Sequence, residues 1–172
     1  MYEVDEKDQV VELEGVPQSS VGAPMPVLIS EEGKVVLAFY LQNTPDGWDG
    51  TTVRIMNSDS EESLAIVEFT ICYAHMFGPP NDEAFDGHPL AGRGLKPYGA
   101  YEVLNSSWLG QLEQMNSGHE HHEPDRFWKR HHYIFAFHDS TFECVADGFE
   151  VTETYGSMES ILPMMAERLW AR

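Results

Sequence analysis

Basic residues are scarce in this chain. Lys and Arg together number 10 in 172 residues, against 29 Asp and Glu, which gives a formal net charge of -19. Phosphate backbones and anionic membrane surfaces attract basic patches and repel a field of this sign, so nucleic acid and membrane surfaces are excluded as expected partners. Cysteine is nearly absent as well. Cys72 and Cys144 stand far apart, each inside a strand-like run, which predicts two buried reduced thiols and neither a disulfide framework nor a CxxC site. No apolar run approaches the roughly 18 residues of a membrane span. The opening MYEVDEKDQV lacks a basic n-region and an apolar h-region, so a cytoplasmic location is expected. Signature motifs are missing too: there is no P-loop, no GxGxxG between strand and helix, no HExxH and no GxSxG.

What is present describes a folded domain. Hydrophobic residues make up 42% of the chain, and this length can bury a proper core without staples, so residues 1–172 are expected to form a single domain. Residues 1–15 hold six acids and one Lys and read as an acidic N-terminal arm. The run Pro26 to Ser30, the turn Glu31-Glu-Gly33 and the run Val35 to Leu41 predict a hairpin. Asn43 to Gly50 is a loop by composition, with Thr52 to Met56 a further short strand. Between Leu64 and Phe77, Ala65, Val67, Phe69, Ile71, Tyr73, His75 and Phe77 alternate onto one face, as in one long half-buried strand. The Gly- and Pro-rich stretch 78–94 exceeds the usual loop length and is a candidate lid or binding loop.

Tyr98 to Leu104 reads as a strand. Leu104, Trp108, Leu112 and Met115 then recur at helical spacing, and this predicts an amphipathic helix over 106–116. The spacing of Ile161, Met165 and Leu169 predicts a closing helix. Because Pro163 is tolerated only in a first turn, its start is placed near Ser160 and not at Ser157. The expected architecture is therefore α+β: a mainly antiparallel sheet of about six to eight strands, curved or sandwich-like, with one helix packed on it and another at the end.

Histidine is where the sequence departs from background. Six of the eight histidines lie between His119 and His138, and the segment 118–125 mixes imidazole with carboxylate, a donor set suited to Zn or another divalent transition metal. Its spacing fits no helical ligand pair, and a solvated polar loop fits the composition equally well. His138 admits a sharper reading. Tyr133 to His138 and Thr141 to Ala146 are strand-like, and a two-residue turn at Asp139-Ser140 would pair His138 with Thr141, Phe137 with Phe142, Ala136 with Glu143 and Phe135 with Cys144. Tyr133, Phe135, Phe137, Phe142, Cys144 and Ala146 then share a core face, while Ile134, Ala136, His138, Thr141, Glu143 and Val145 share the other.

On that second face His138 and Glu143 are diagonal neighbours and candidate catalytic or metal-ligating residues. His132 shares the face by parity, and His121 could complete a metal shell. Arg93 and Lys96 are rare positive charges beside the long loop. With His88 they are candidate ligand-binding residues, His88 reaching the same pocket from that loop. No motif specifies a reaction, so the expected function is a protein- or small-ligand-binding module, with a small molecule or a basic protein as partner. A metal-dependent hydrolase or isomerase on the 131–146 hairpin is the alternative. The charge is also polarised. Residues 1–86 carry 17 acids and 3 bases, residues 87–172 carry 12 acids and 7 bases, and seven of the eight histidines lie in the latter half, where chemistry should be sought.

Overall fold

The computed structural model describes residues 2–44 and 55–171. It is α+β. Nine strands form two antiparallel sheets, and three helices lie among the described residues. One sheet joins β1 (Gln9–Glu12), β6 (Ala100–Leu104), β7 (His131–Ala136), β8 (Thr141–Ala146) and β5 (Ala74–Gly78), in that order. The other joins β2 (Val27–Ser30), β3 (Val35–Tyr40), β4 (Glu62–Thr70) and β9 (Gly148–Gly156).

Alternation along the central strands decides what lies between the sheets. Val35, Leu37, Phe39, Ala65, Val67 and Phe69 of one sheet pack on Tyr133, Phe135, Phe137, Phe142, Cys144 and Ala146 of the other, so the two sheets form a sandwich. The residues in between are apolar as well, and each outer face is buried under a helix. Val36, Ala38, Tyr40, Leu64 and Ile66 pack against Met158, Ile161, Met165 and Leu169 of α3 (Met158–Trp170). Tyr101, Val103, Ile134, Ala136 and Val145 pack against Trp108 and Leu109 of α1 (Ser107–Asn116), together with Tyr2, Phe85, Leu90 and Leu95. The core faces read from the sequence for 133–146 are the faces observed, and the hairpin of β2 and β3 forms as expected.

Four expectations need correction. The run 64–77 is not one strand. At Ile71 the backbone turns to a φ of 49°, and the chain leaves β4 in one sheet for β5 in the other. Ile71, Tyr73 and Phe77 are consequently exposed, because β5 is an edge strand. The hairpin of β7 and β8 has a four-residue connection, with Ala136 opposite Thr141 and Ile134 opposite Glu143, so the register differs by two and the faces keep their parity. Its turn is pulled toward the long loop: the Asp82 N–H donates to the His138 carbonyl at 2.9 Å and the Thr141 hydroxyl to the Pro80 carbonyl at 2.9 Å. The closing helix begins at Met158 with Ser157 as its cap, and Pro163 lies inside it on an exposed face. Gly148–Gly156 is also a strand, and Glu150, Thr152, Glu153 and Thr154 make it a polar edge. Of the expected strand 52–56, residues 52–54 lie outside the described residues, as does most of the preceding loop, while Ile55 and Met56 are not in a strand.

The acidic arm is fastened to the domain. β1 pairs with β6, Tyr2 is buried, and the Asp8 carboxylate accepts from the Ser107 N–H at the start of α1. The helix over 106–116 is present as α1, with Ser106 as N-cap accepting from the Leu109 N–H, although Met115 at its end is 79% exposed. A short helix, α2 (Pro124–Phe127), interrupts the histidine-rich segment.

At the start of α3 the Ser157 hydroxyl accepts from the Ser160 N–H and the Ser160 hydroxyl accepts from the Ser157 N–H, a reciprocal cap. Ser157→Ala is expected to lower unfolding stability by about 1 kcal/mol in urea titration. A silent substitution would mean that the helix begins later, near Ser160.

Candidate functional site

The outer face of β7 and β8 carries a carboxylate among apolar neighbours. Glu143 is 4% exposed and is packed under the N-terminal segment, α1 and the 78–94 loop. Burial alone would push its carboxyl group up, yet hydrogen bonds from His132, His88 and Tyr2 outweigh burial and hold it down to about 2. Tyr2 Oη donates to Oε2 at 2.6 Å, His132 Nε2 lies 3.0 Å from the same oxygen, and His88 Nε2 lies 3.0 Å from Oε1. The Tyr2 phenol is raised in turn by burial and by the Glu143 charge, so it stays protonated and donating.

Hydrogen-bond chemistry fixes the Nε2 of both imidazoles and the Nδ1 of His88. An ionised carboxylate only accepts, so each Nε2 facing Glu143 carries a proton. At His88 the Leu90 N–H donates to Nδ1 at 3.1 Å, which requires a bare Nδ1 and a neutral ring. At His132 the Nδ1 lies 2.8 Å from Ser106 Oγ, a hydroxyl able to donate to it or to accept from it. Trp108 closes the cluster, stacking on Tyr2 with centroids 5.3 Å apart and meeting His132 edge-on at 4.9 Å.

The result is a chain from Ser106 through His132 to Glu143, in the order of a nucleophile, a base and an orienting acid. The helix start beside it is already occupied. Ser106 Oγ accepts from the Leu109 N–H at 3.2 Å, and both the Ser107 N–H and the Ser107 hydroxyl donate to Asp8 at 2.6 Å. A carboxylate thus sits where an oxyanion would need donors, and loss of a single such donor costs about 10²–10³ in rate. The chain anchors α1 and the N-terminal segment to the sheet more readily than it attacks a substrate. With Nε2 facing Glu143 and Nδ1 engaged by the Leu90 N–H or by Ser106, neither imidazole has a free ring nitrogen in this arrangement. Among the described residues, no group of three or more His, Cys, Asp or Glu side chains is placed so that it could hold a metal ion.

Three of the residues singled out in the sequence, His88, His132 and Glu143, therefore meet in space. His138 is elsewhere. It stands half-exposed in the hairpin turn, 2.9 Å from Asp139 and 3.9 Å from Asp82, which accepts a hydrogen bond from Tyr98. The Asp139 hydrogen bond raises the His138 imidazole, while the Tyr98 hydroxyl lowers the Asp82 carboxyl. His121 is exposed and pairs with its neighbour Glu120 at 3.3 Å. Arg93 donates to the Glu6 carbonyl at 3.1 Å, and Lys96 is exposed; neither lines the cleft described next.

That cleft, of about 810 Å³, opens between the N-terminal segment, α1 and the ends of β6 and β7. Ser106 and Ser107 line its inner end, and Glu3, Asp5, Lys7, Gln111 and Gln114 also border it. On its outer wall Trp128 is 50% exposed, and its ring lies across α1 where a Cβ on Gly110 would come within 3.3 Å. Glycine there admits the indole. Arg130 also lines the cleft and lies over the rings of Phe127 and Tyr73, 3.4 Å from Asp147. His131 pairs with Glu102 at 2.6 Å along the same wall. Sequence reasoning missed Tyr2, Ser106, Trp108 and Trp128 as members of one region. The only signals were an aromatic inside an acidic arm and a Gly in the middle of a helix.

Comparisons with protein-family models, with curated proteins and with solved structures found no match for this chain. No described helix is long and apolar enough to cross a membrane.

Glu143 gives the domain a defined acid response. A carboxyl group held down from 4.5 to about 2 contributes about 3 kcal/mol that is fully present above pH 4.5 and is lost as pH falls toward 2. Glu143→Gln places an amide donor against three donors, so it is expected to destabilise by a similar amount at pH 7 and to flatten the stability profile in that window. Urea titrations across pH check both; an unchanged profile would refute the assignment.

Proposed function

We propose that the chain is a small-ligand-binding module whose ligand occupies the cleft beside Trp128. The observation that carries this reading is the half-exposed indole, set in the wall of an 810 Å³ cleft and backed by α1 at Gly110. An aromatic face flanked by carboxylates suits a flat ligand with a cationic group, which the ring quadrupole and the carboxylates both attract. Glu3, Asp5 and Glu102 supply the carboxylates against two bases in the lining, Lys7 and Arg130, of which Arg130 lies over the Phe127 and Tyr73 rings and pairs with Asp147. The net charge of -19 steers the same class of ligand from a distance. Two free, buried cysteines accord with a cytoplasmic setting.

The buried Glu143 cluster serves this cleft by fixing its walls. The N-terminal segment through Tyr2, and Ser106 through His132, are tied to one carboxylate, so the cleft is formed before ligand arrives, which reduces the ordering cost of binding.

Tryptamine and indole-3-acetate share a ring and differ in charge, so ligand-observed NMR with this pair tests the reading. The amine is expected to bind and the acid to bind at least tenfold more weakly, with Trp128→Ala abolishing the amine signal. Binding indifferent to Trp128, or no binding by the amine, would refute it.

A further inference from the structure

Ser106 stands on a sharp strand-to-helix turn. β6 ends at Leu104, Asn105 takes a φ of 57°, and Ser106 caps the first turn of α1. A turn of this kind lifts a side chain off a sheet and sets it at the positive end of a helix, where developing negative charge is favoured. The Ser106 hydroxyl lies 2.8 Å from His132 Nδ1, and His132 Nε2 lies 3.0 Å from the ionised Glu143. Nucleophile, base and the acid that orients the base are each within hydrogen-bond reach of the next. Ser106 and Ser107 line the inner end of the 810 Å³ cleft, so the serine lies beside a space large enough for a substrate.

A single side chain closes this arrangement. Asp8 is 2% exposed, and its carboxylate accepts from the Ser107 N–H at 2.6 Å, from the Ser107 hydroxyl at 2.6 Å and from the Asp5 N–H at 2.8 Å. The N–H of the residue after a nucleophilic serine is a donor that acyl-transfer enzymes aim at the developing oxyanion. Here that N–H and the hydroxyl of the same residue already hold a negatively charged oxygen, the kind of atom an oxyanion presents. Closed in this way, the serine anchors α1 and does not attack. Asp8 directly precedes β1 and belongs to the segment whose Glu3, Asp5 and Lys7 border the cleft.

We propose that Ser106, His132 and Glu143 form a latent acyl-transfer site for esters, held closed by Asp8 in the place of the oxyanion. With Asp8 withdrawn, Ser106 Oγ attacks the ester carbonyl carbon and its proton passes to His132 Nδ1, while the carbonyl oxygen accepts from the Ser107 N–H and hydroxyl. The tetrahedral carbon then expels the alcohol oxygen, which leaves with the proton from His132, and the acyl group stays on Ser106. Water attacks that acyl group and gives a proton to His132. Collapse returns the proton to Ser106 Oγ as the carboxylic acid departs. One ester and one water give one acid and one alcohol. No step uses Trp128 or depends on what the cleft otherwise binds.

The test compares the wild-type chain with Asp8→Ala, using p-nitrophenyl acetate as the ester and a fluorophosphonate probe whose adduct is located by peptide mapping. Fluoride leaves as the serine oxygen bonds to phosphorus, so labelling reads the nucleophile directly. The wild-type chain is expected to stay unlabelled and Asp8→Ala to be labelled at Ser106, with ester turnover about a hundredfold above wild type, the size of effect that an oxyanion donor carries. Adding Ser106→Ala or His132→Gln to Asp8→Ala is expected to return turnover to the wild-type level. Formate, which takes the vacated donors, is expected to suppress labelling of Asp8→Ala, whereas chloride at equal ionic strength leaves it unchanged. Asp8→Ser is carried alongside, with near-UV circular dichroism reporting the fold of each variant. A labelled wild-type chain, a folded Asp8→Ala without a Ser106 adduct, turnover that survives Ser106→Ala, or labelling indifferent to formate would each overturn the proposal. Loss of the fold in both Asp8 variants would do so as well, because the carboxylate would then hold the domain together and not close a site.

Discussion

A carboxylate with almost no contact with water is the constraint around which one half of this molecule is arranged. Leaving an ion the size of Glu143 unpaired in an apolar interior costs several kcal/mol, so its neighbours must supply donors. They do so from separate places. Tyr2 comes from the start of the chain, His88 from the long loop and His132 from the adjacent strand. Segments with little mutual attraction of their own are thereby drawn to one point on the sheet. The loop, the N-terminal segment and α1 become a single lid because each would leave a donor or an acceptor unsatisfied by moving away.

The two outer faces of the sandwich are covered by different means. α3 lies on its sheet chiefly through apolar side chains, with Met158, Ile161, Met165 and Leu169 against the β3 and β4 faces and polar contacts near its two ends, where the Met158 N–H donates to the Tyr40 hydroxyl and Arg168 to the Thr152 hydroxyl. The opposite face is covered by a patchwork of one helix, short turns and an extended segment, with the polar cluster inside it. Apolar packing is non-directional and tolerates sliding, whereas hydrogen bonds fix distances. The cleft accordingly lies on the side where positions are specified by polar contacts.

Much of the fold was legible in the sequence because alternation survives errors in register. The faces of 133–146 were assigned correctly even though the connection at 137–140 is longer than the assumed turn. A shift of two residues preserves parity, so Glu143 kept its face but exchanged His138 for His132 as a diagonal neighbour. The turn itself was not legible, since its hydrogen-bond partners Pro80 and Asp82 are distant in sequence. The break at Ile71 escaped notice for a related reason. Nothing local distinguishes a β-branched residue in an extended strand from the same residue at a positive φ where the chain changes sheets. For the candidate site, parity gave one pair and loop length pointed to His88. Tyr2, Ser106 and Trp128 depend on contacts between segments that no local pattern encodes.

The polar edge strand β9 gives the acidic composition a further consequence. Neither sheet closes into a barrel, so the unpaired edge of β9 presents a row of backbone donors and acceptors that could template addition of a strand from another molecule. Glu150 and Glu153 stand exposed along it, and a second copy approaching edge to edge would bring the same carboxylates against them. Like charges facing each other across a strand pair are destabilising. Part of the negative charge is thus a guard on an open sheet, keeping one sandwich from extending into the next.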